Sequence, residues 1–195
     1  MDHPGKSLRQ AIKTEKPLQI VGVIHAYAAK LAEQAGFQAL YLSGAGVANS
    51  KYAIPDLAMT SLNDVLEEVE NITSATQLPL LVDADTGWGS PLNIRRTFKL
   101  LERAGAAGAH IEDQQEFKRC GHREGKHIVS VQEMVGRIHA AVDGRIDKDF
   151  MVIARTDSVA VEGVEKTLER AILYEQAGAD MLFVEAVTEL KTYQQ

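Results

Sequence analysis

Short apolar runs recur along the chain, and each closes on polar side chains. They read LQIVGVI (18–24), QALYLSG (38–44), LPLLVDAD (78–85), GAHIED (108–113), FMVIART (150–156) and DMLFVEA (180–186). These runs are continuous rather than alternating. A strand covered on both faces has that pattern, which is the mark of a parallel sheet. Three runs are entered through nearly the same passage: EQAGFQALYLSG (33–44), ERAGAAGAHIED (102–113) and EQAGADMLFVEA (175–186). In each, a helix ends at Ala-Gly, the glycine closes it in the left-handed conformation, and the apolar run follows. The intervals between runs are predicted helical. Ser61-Leu-Asn-Asp64 and Ser130-Val-Gln-Glu133 predict helix starts in which the serine caps and the acid three residues on reaches back. Ser90-Pro91 predicts a third start, with proline in the first turn.

Strand and helix in alternation give a parallel sheet covered by helices. A doubly wound open sheet and an eightfold barrel both satisfy that description. A dinucleotide-binding open sheet places Gly-x-Gly-x-x-Gly after its first strand, and GVIHAYAAK (22–30) has nothing of the kind. Nearly every run here ends in chemically useful residues: Ser43, Asp83 and Asp85, Glu112 and Asp113, Arg155 and Asp157, Glu185. A barrel collects its active site from the C-terminal ends of several strands, whereas an open sheet concentrates it at one switch point. The expected fold is therefore α/β, a (β/α)8 TIM-type barrel, of which about six β/α units are present. Residues 1–195 are expected to form a single catalytic barrel domain lacking its C-terminal part. Such a chain would expose strand edge and core, which favours association.

Composition narrows the function classes. The 195 residues are 45% hydrophobic, as in soluble globular proteins. A net charge of -6 gives no general attraction to nucleic acid or to anionic membranes. The polar start MDHPGKSLRQAIKTEK has no signal-peptide core, and no apolar run approaches a membrane span. One cysteine allows no internal disulfide and no Cys-based zinc site. A cytoplasmic protein acting on a small molecule is expected.

Asp83 and Asp85, two apart at a strand end, share a face of the sheet. Two hard carboxylates leading into a Gly-rich loop suit Mg²⁺, and Glu112 at the next strand end can join them. Ser43 with Gly44 and Gly46 makes a loop whose N–H groups can hold a carboxylate or phosphate, or simply a tight turn. The Arg155 fork suits a carboxylate ligand, or an ion pair with a nearby acid, and Glu185 has the same two readings. The most basic stretch, EFKRCGHREGKH (116–127), carries the lone cysteine. Lys118, Arg119, His122 and Arg123 would favour the thiolate of Cys120, and Gly121 allows close backbone approach. Free cysteines are usually buried, so one in a charged loop points to catalysis. His25, His110, His127 and His139 read as incidental.

KRCGH (118–122), together with VDADTGWGS, YLSGAGVA, HIEDQ and ARTD, resembles the isocitrate lyase and phosphoenolpyruvate mutase superfamily. The resemblance runs from about residue 4 to the end, and the cysteine-bearing motif is that of its lyases. It implies Mg²⁺-dependent retro-aldol-type cleavage. The nearest members split 2-methylisocitrate into pyruvate and succinate in the methylcitrate cycle of propionate catabolism; isocitrate or a dimethylmalate are the alternative substrates. The resemblance also implies site roles. Asp85 would bind the metal directly, with Asp83 and Glu112 holding metal-bound waters. Ser43, Gly44 and Ala45 would bind the α-keto acid, and Arg155 would polarise the same oxygens. Cys120 would be the general acid that protonates the succinate carbanion, with Gly121 giving backbone contacts. Lys118, His122 and Glu185 would support the succinyl half. Asp56, in YAIPDLA, would lie on a loop that closes over the site. The base stays open among Tyr41, Asp56 and Glu112. A homotetramer is implied. Two departures stand out: Ala45 where glycine is frequent, and Trp88 where phenylalanine or tyrosine is common.

Overall fold

The structure, a computed structural model, describes residues 3–194. Each of the six apolar runs contains a strand: β1 (Ile20–Val23), β2 (Ala39–Leu42), β3 (Leu80–Asp83), β4 (Gly108–Glu112), β5 (Met151–Thr156) and β6 (Met181–Val184). The strands pair in chain order, β1-β2-β3-β4-β5-β6, and every pairing is parallel. A doubly wound sheet would reverse its order at a switch point. The unbroken order makes this an arc of a TIM-type barrel.

The helices are α1 (Pro4–Thr14), α2 (Ala26–Gln34), α3 (Gly44–Tyr52), α4 (Leu62–Ala75), α5 (Pro91–Arg103), α6 (Val131–Gly144), the short α7 (Val159–Glu162) and α8 (Val164–Gln176). Gly36, Gly105 and Gly178 follow α2, α5 and α8 with φ of 91°, 93° and 102°, so the repeated Ala-Gly passages end helices as expected. At the start of α4, the Asp64 carboxylate accepts the Ser61 N–H at 2.7 Å. Proline begins α5, with Ser90 before it. The start of α6 differs from the expected box. Ser130 Oγ accepts the Glu133 N–H at 3.2 Å, but the Glu133 carboxylate turns to Arg137 at 2.7 Å. A charge-assisted bond to guanidinium outcompetes one to a backbone amide.

Two apolar layers hold the fold. Outward-facing Leu40, Leu42, Val82, Ile111, Val152 and Ala154 pack against the helices, where Val69, Phe98 and Ile138 are fully buried. Inward-facing Ala39, Leu81, Met151 and Ile153 pack around Leu8 and Ile12 of α1. Thus α1 crosses the N-terminal end of the arc and plugs its floor. A Cβ at Gly5 would collide with the Asp149 backbone, so glycine lets α1 approach that closely. Arg9 fastens it further, donating to Asp149 O at 3.0 Å and Asp180 Oδ1 at 2.7 Å. Leu8 is 1% exposed, and burying such a side chain contributes about 1.5–3 kcal/mol. At the other flank, Met181, Leu182 and Phe183 of β6 and Leu168 and Ile172 of α8 are exposed. Among the described residues, no helix is long and apolar enough to cross a membrane.

Candidate active site at the strand ends

Toward the C-terminal end, the inner face changes from apolar to charged. Asp83 lies beside His110 in the register, and Glu112 beside Arg155. Asp85 follows β3 in the left-handed conformation, φ 45°. Asp83 accepts the Asp85 N–H at 3.0 Å and the Gly44 N–H at 3.1 Å. A Cβ at Gly44 would lie 3.2 Å from Asp85 Oδ1 and 3.3 Å from Asp83 Oδ2. Glycine at 44 therefore leaves the space where the two acids converge. Asp83, Asp85 and Glu112 are all buried. Asp85 Oδ1 and Glu112 Oε1 have no hydrogen-bond partner. Lys118 Nζ lies 2.6 Å from Asp85 Oδ1 as an ion pair, outside hydrogen-bond geometry, and it donates to Asp56 Oδ1.

Burial, reinforced by the charge of Asp83, pushes the Asp85 carboxyl up to about 7. Burial also holds Glu112 well above its usual value. Burial pushes Asp83 up too, but neighbouring His110, Lys118 and Arg155 bring it down to about 2. His110 is itself lowered by burial to about 4, so near neutral pH the lysine and arginine supply that effect. Crowded acids with unsatisfied oxygens form a cation's environment. Among the described residues, no three His, Cys, Asp or Glu groups converge tightly enough to ligate one ion together. Buried carboxylate oxygens are the donor type that a small hard cation such as Mg²⁺ takes, alongside waters that it keeps.

Arg155 is buried within these acids, its Nε 3.3 Å from Glu112 Oε2 and 3.1 Å from Asp157 Oδ2, its Nη2 3.5 Å from Glu185 Oε2. Its guanidinium also lies over the Phe183 ring. The Tyr41 hydroxyl and His110 Nε2 are hydrogen-bonded at 2.8 Å, and burial pushes the phenol far above its ordinary value. His110, which reads as incidental in the sequence, is at the centre of the site, fully buried and 3.6 Å from Asp83 Oδ1. The available signal was parity: 110 and 112 share a face of β4. His25 caps α2 by accepting the Ala28 N–H, and His127 and His139 are exposed.

Three groups of residues take partners that the sequence does not announce. The Ser-Gly-Ala-Gly loop is the first turn of α3: Ser43 Oγ accepts the Gly46 N–H at 3.3 Å, and Gly44 N–H is given to Asp83. Ala45 N–H, in that first turn, has no intrahelical acceptor. Asp113 faces away from the site. Its Oδ2 accepts the hydroxyls of Thr156 at 2.7 Å and Tyr174 at 3.0 Å, because successive strand residues point to opposite faces. The bases of the cysteine loop do not gather on the thiol. Lys118 goes to Asp85 and Asp56, Lys126 to Asp157, and His122 to Glu185 at 3.4 Å. Arg119 and Arg123 are exposed, and Cys120 is partly exposed with a free thiol. Ionised carboxylates attract cations more strongly than a thiol does. Asp56 reaches the site through Lys118, and Trp88 Nε1 donates to Thr60 O at 3.1 Å beside that loop.

An arc of parallel strands carrying a buried acid cluster, an arginine and a loop cysteine defines an α/β barrel enzyme site. The phosphoenolpyruvate phosphomutase family matches residues 8–195, and the chain belongs to it. It is 62% identical to 2-methylisocitrate lyase of Shewanella oneidensis over 97% of this chain, and it spans 65% of that protein's length. Solved 2,3-dimethylmalate lyase, 41% identical, superposes with a TM-score of 0.92 over 100% of this chain and 66% of that one. A phosphonopyruvate hydrolase solved with oxalate and Mg²⁺ is 32% identical, with a TM-score of 0.81 over 94% of this chain and 63% of that one.

Proposed function

We propose that the protein is a Mg²⁺-dependent carbon–carbon lyase that cleaves 2-methylisocitrate to pyruvate and succinate, with isocitrate or a dimethylmalate as the alternative substrate. The observation that carries the reading is the buried Asp83, Asp85 and Glu112 cluster, in which Glu112 Oε1 has no hydrogen-bond partner and Asp85 Oδ1 meets only the Lys118 ammonium, faced by Arg155 and flanked by the Cys120 loop. The identity to a named 2-methylisocitrate lyase supports the substrate. The Mg²⁺ and oxalate in a related hydrolase support the metal and a small acid ligand.

Asp85 would hold the ion directly, with Asp83 and Glu112 reaching it through water. When bound there, Mg²⁺ supplies Lewis-acid stabilisation of the negative oxygens of an α-keto acid. Arg155 offers its fork to the carboxylate of that half, and Ser43, Gly44 and Ala45 bound it from α3. Lys118, His122, Glu185 and the Gly121 backbone frame the succinyl half. Cys120 donates its proton to the carbon left negative on that side. Of Tyr41, Asp56 and Glu112, the group taking the hydroxyl proton is best supported as Glu112. Its Oε1 accepts no hydrogen bond, and burial holds its carboxyl well above its usual value, which makes it the stronger base once ionised, whereas Asp56 is held by Lys118 and the Tyr41 phenol is hydrogen-bonded to His110. A homotetramer, implied by the family resemblance, is proposed as the assembly and checked by sedimentation.

The test is Mg²⁺-dependent keto acid release from 2-methylisocitrate and isocitrate side by side, in the protein and in Cys120→Ser. Pyruvate from the first substrate, lost in the variant, is the expected result. Faster glyoxylate release from isocitrate would move the protein to the alternative substrate. Turnover of neither, with Mg²⁺ bound, refutes the substrate reading.

A further inference from the structure

Lys126 has no part in the chemistry above, yet it is among the more deeply buried lysines, 7% exposed. It lies near the end of the loop between β4 and α6, whose ends are joined by the bridge between Gln114 and Ile128. Its Nζ donates to Gly121 O at 2.6 Å and to Asp157 Oδ1 at 3.0 Å. Asp157 is fully buried and fixed on two further sides, by its own N–H to Asp113 Oδ1 at 2.9 Å and by Arg155 Nε at 3.1 Å. Gly121 in turn lies against Arg155, since a Cβ there would fall 2.6 Å from its Nη2. The contacts close a ring: Arg155 to Asp157, Asp157 to Lys126, Lys126 to the Gly121 carbonyl, Gly121 back to Arg155.

A buried ion pair costs desolvation and is weak evidence of a stabilising role. What the ring does supply is geometry. It pins the Gly121–His122 peptide, one residue beyond Cys120, to the same aspartate that orients Arg155. We propose that Lys126, through Asp157, is a positioning residue that fixes the Cys120 thiol relative to Arg155, and so relative to the substrate half that Arg155 holds. This rests on the reading of Cys120 as proton donor. Misplacing a reacting group by about 1 Å costs on the order of a hundredfold in rate, so the ring is expected to act on kcat rather than on binding. A lysine suits the place, because one ammonium can serve a carbonyl and a carboxylate in different directions.

Two measurements test this. In the unsubstituted protein, reductive methylation should modify Lys126 at least tenfold more slowly than exposed Lys148, and equal rates overturn the ring. The paired variant Lys126→Met with Asp157→Asn removes both charges, leaving neither buried alone. It should alkylate at Cys120 with iodoacetamide at least threefold faster, and lose at least tenfold in kcat on 2-methylisocitrate with KM within threefold. A folded double variant with unchanged kcat overturns the proposal even if alkylation accelerates. If the double variant does not fold, the methylation contrast decides. If the unsubstituted protein turns over no 2-methylisocitrate, the substrate reading has failed by itself. Faster alkylation of Cys120 in the double variant then still supports the ring's hold on the loop, and an unchanged alkylation rate overturns it.

Discussion

Asp85→Asn should make the metal-free protein more stable while removing its Mg²⁺ response. Asp85 is 4% exposed, and its Oδ1 meets only the ammonium of Lys118, which keeps Asp56 as a second partner when Asp85 is replaced. Burial and Asp83 raise its carboxyl from 3.8 to about 7. An acid with a raised pKa holds its proton more tightly in the folded chain. Folding stability therefore falls as pH climbs from 3.8 through about 7, and stays reduced above that. The interval corresponds to about 4 kcal/mol at most. Relaxation around the coupled Asp83 lowers the expected gain at pH 8 to about 2–4 kcal/mol. Near pH 5 it should shrink to about 1–2 kcal/mol, because Asp85 is protonated in the folded state and ionised in the unfolded one. Asparagine is the right replacement, since position 85 has φ 45° and asparagine tolerates the left-handed region. Urea unfolding of both proteins at the two pH values, with and without Mg²⁺, measures all of this. A variant less stable than its parent at pH 8, or a gain that ignores pH, would refute the reasoning. So would a variant that Mg²⁺ still stabilises as strongly.

Further predictions concern the plug, the glycine and the proton. Leu8→Ala should cost about 2–5 kcal/mol in urea unfolding, because Leu8 fills the floor among Leu81, Met151 and Ile153; a loss below 1 kcal/mol, on the order of a surface change, would count against the plug. Gly44→Ala places a methyl 3.2 Å from Asp85 Oδ1 and 3.3 Å from Asp83 Oδ2, so Mg²⁺ affinity by calorimetry should weaken while the fold persists. Since Asp85 must give up its proton to bind a cation, Mg²⁺ affinity should fall about tenfold per pH unit below about 7; a flat profile there would contradict the raised carboxyl.

The strands were legible because a parallel sheet needs a continuous apolar run for each one, and the repeated Ala-Gly passages fixed where helices hand over to strands. The acids at strand ends were legible for the same reason: a barrel has one place to put them. What stayed hidden depends on partner choice across the chain. Nothing near Lys118 or Lys126 in sequence announces Asp85 or Asp157, which the fold delivers from other strands. The bases around Cys120 look like a thiol's escort until those carboxylates arrive. His110 lay in an apolar run, and only the inward parity of β4 turns it toward Tyr41. Helix α1 was invisible as a plug because its apolar face is a narrow stripe of Leu8, Ala11 and Ile12 among polar residues.

That plug also sets an order of events. The bond from Arg9 to Asp149 spans 140 residues, so α1 leaves the ribosome well before the chain around β5 that it docks against. At about 5–20 residues per second, the wait is about 7–28 s. Throughout it the barrel floor is open and the Leu8 stripe faces water. The segment that closes the floor thus spends that interval unsealed, and during it a protease or a chaperone can reach the stripe that the fold later buries.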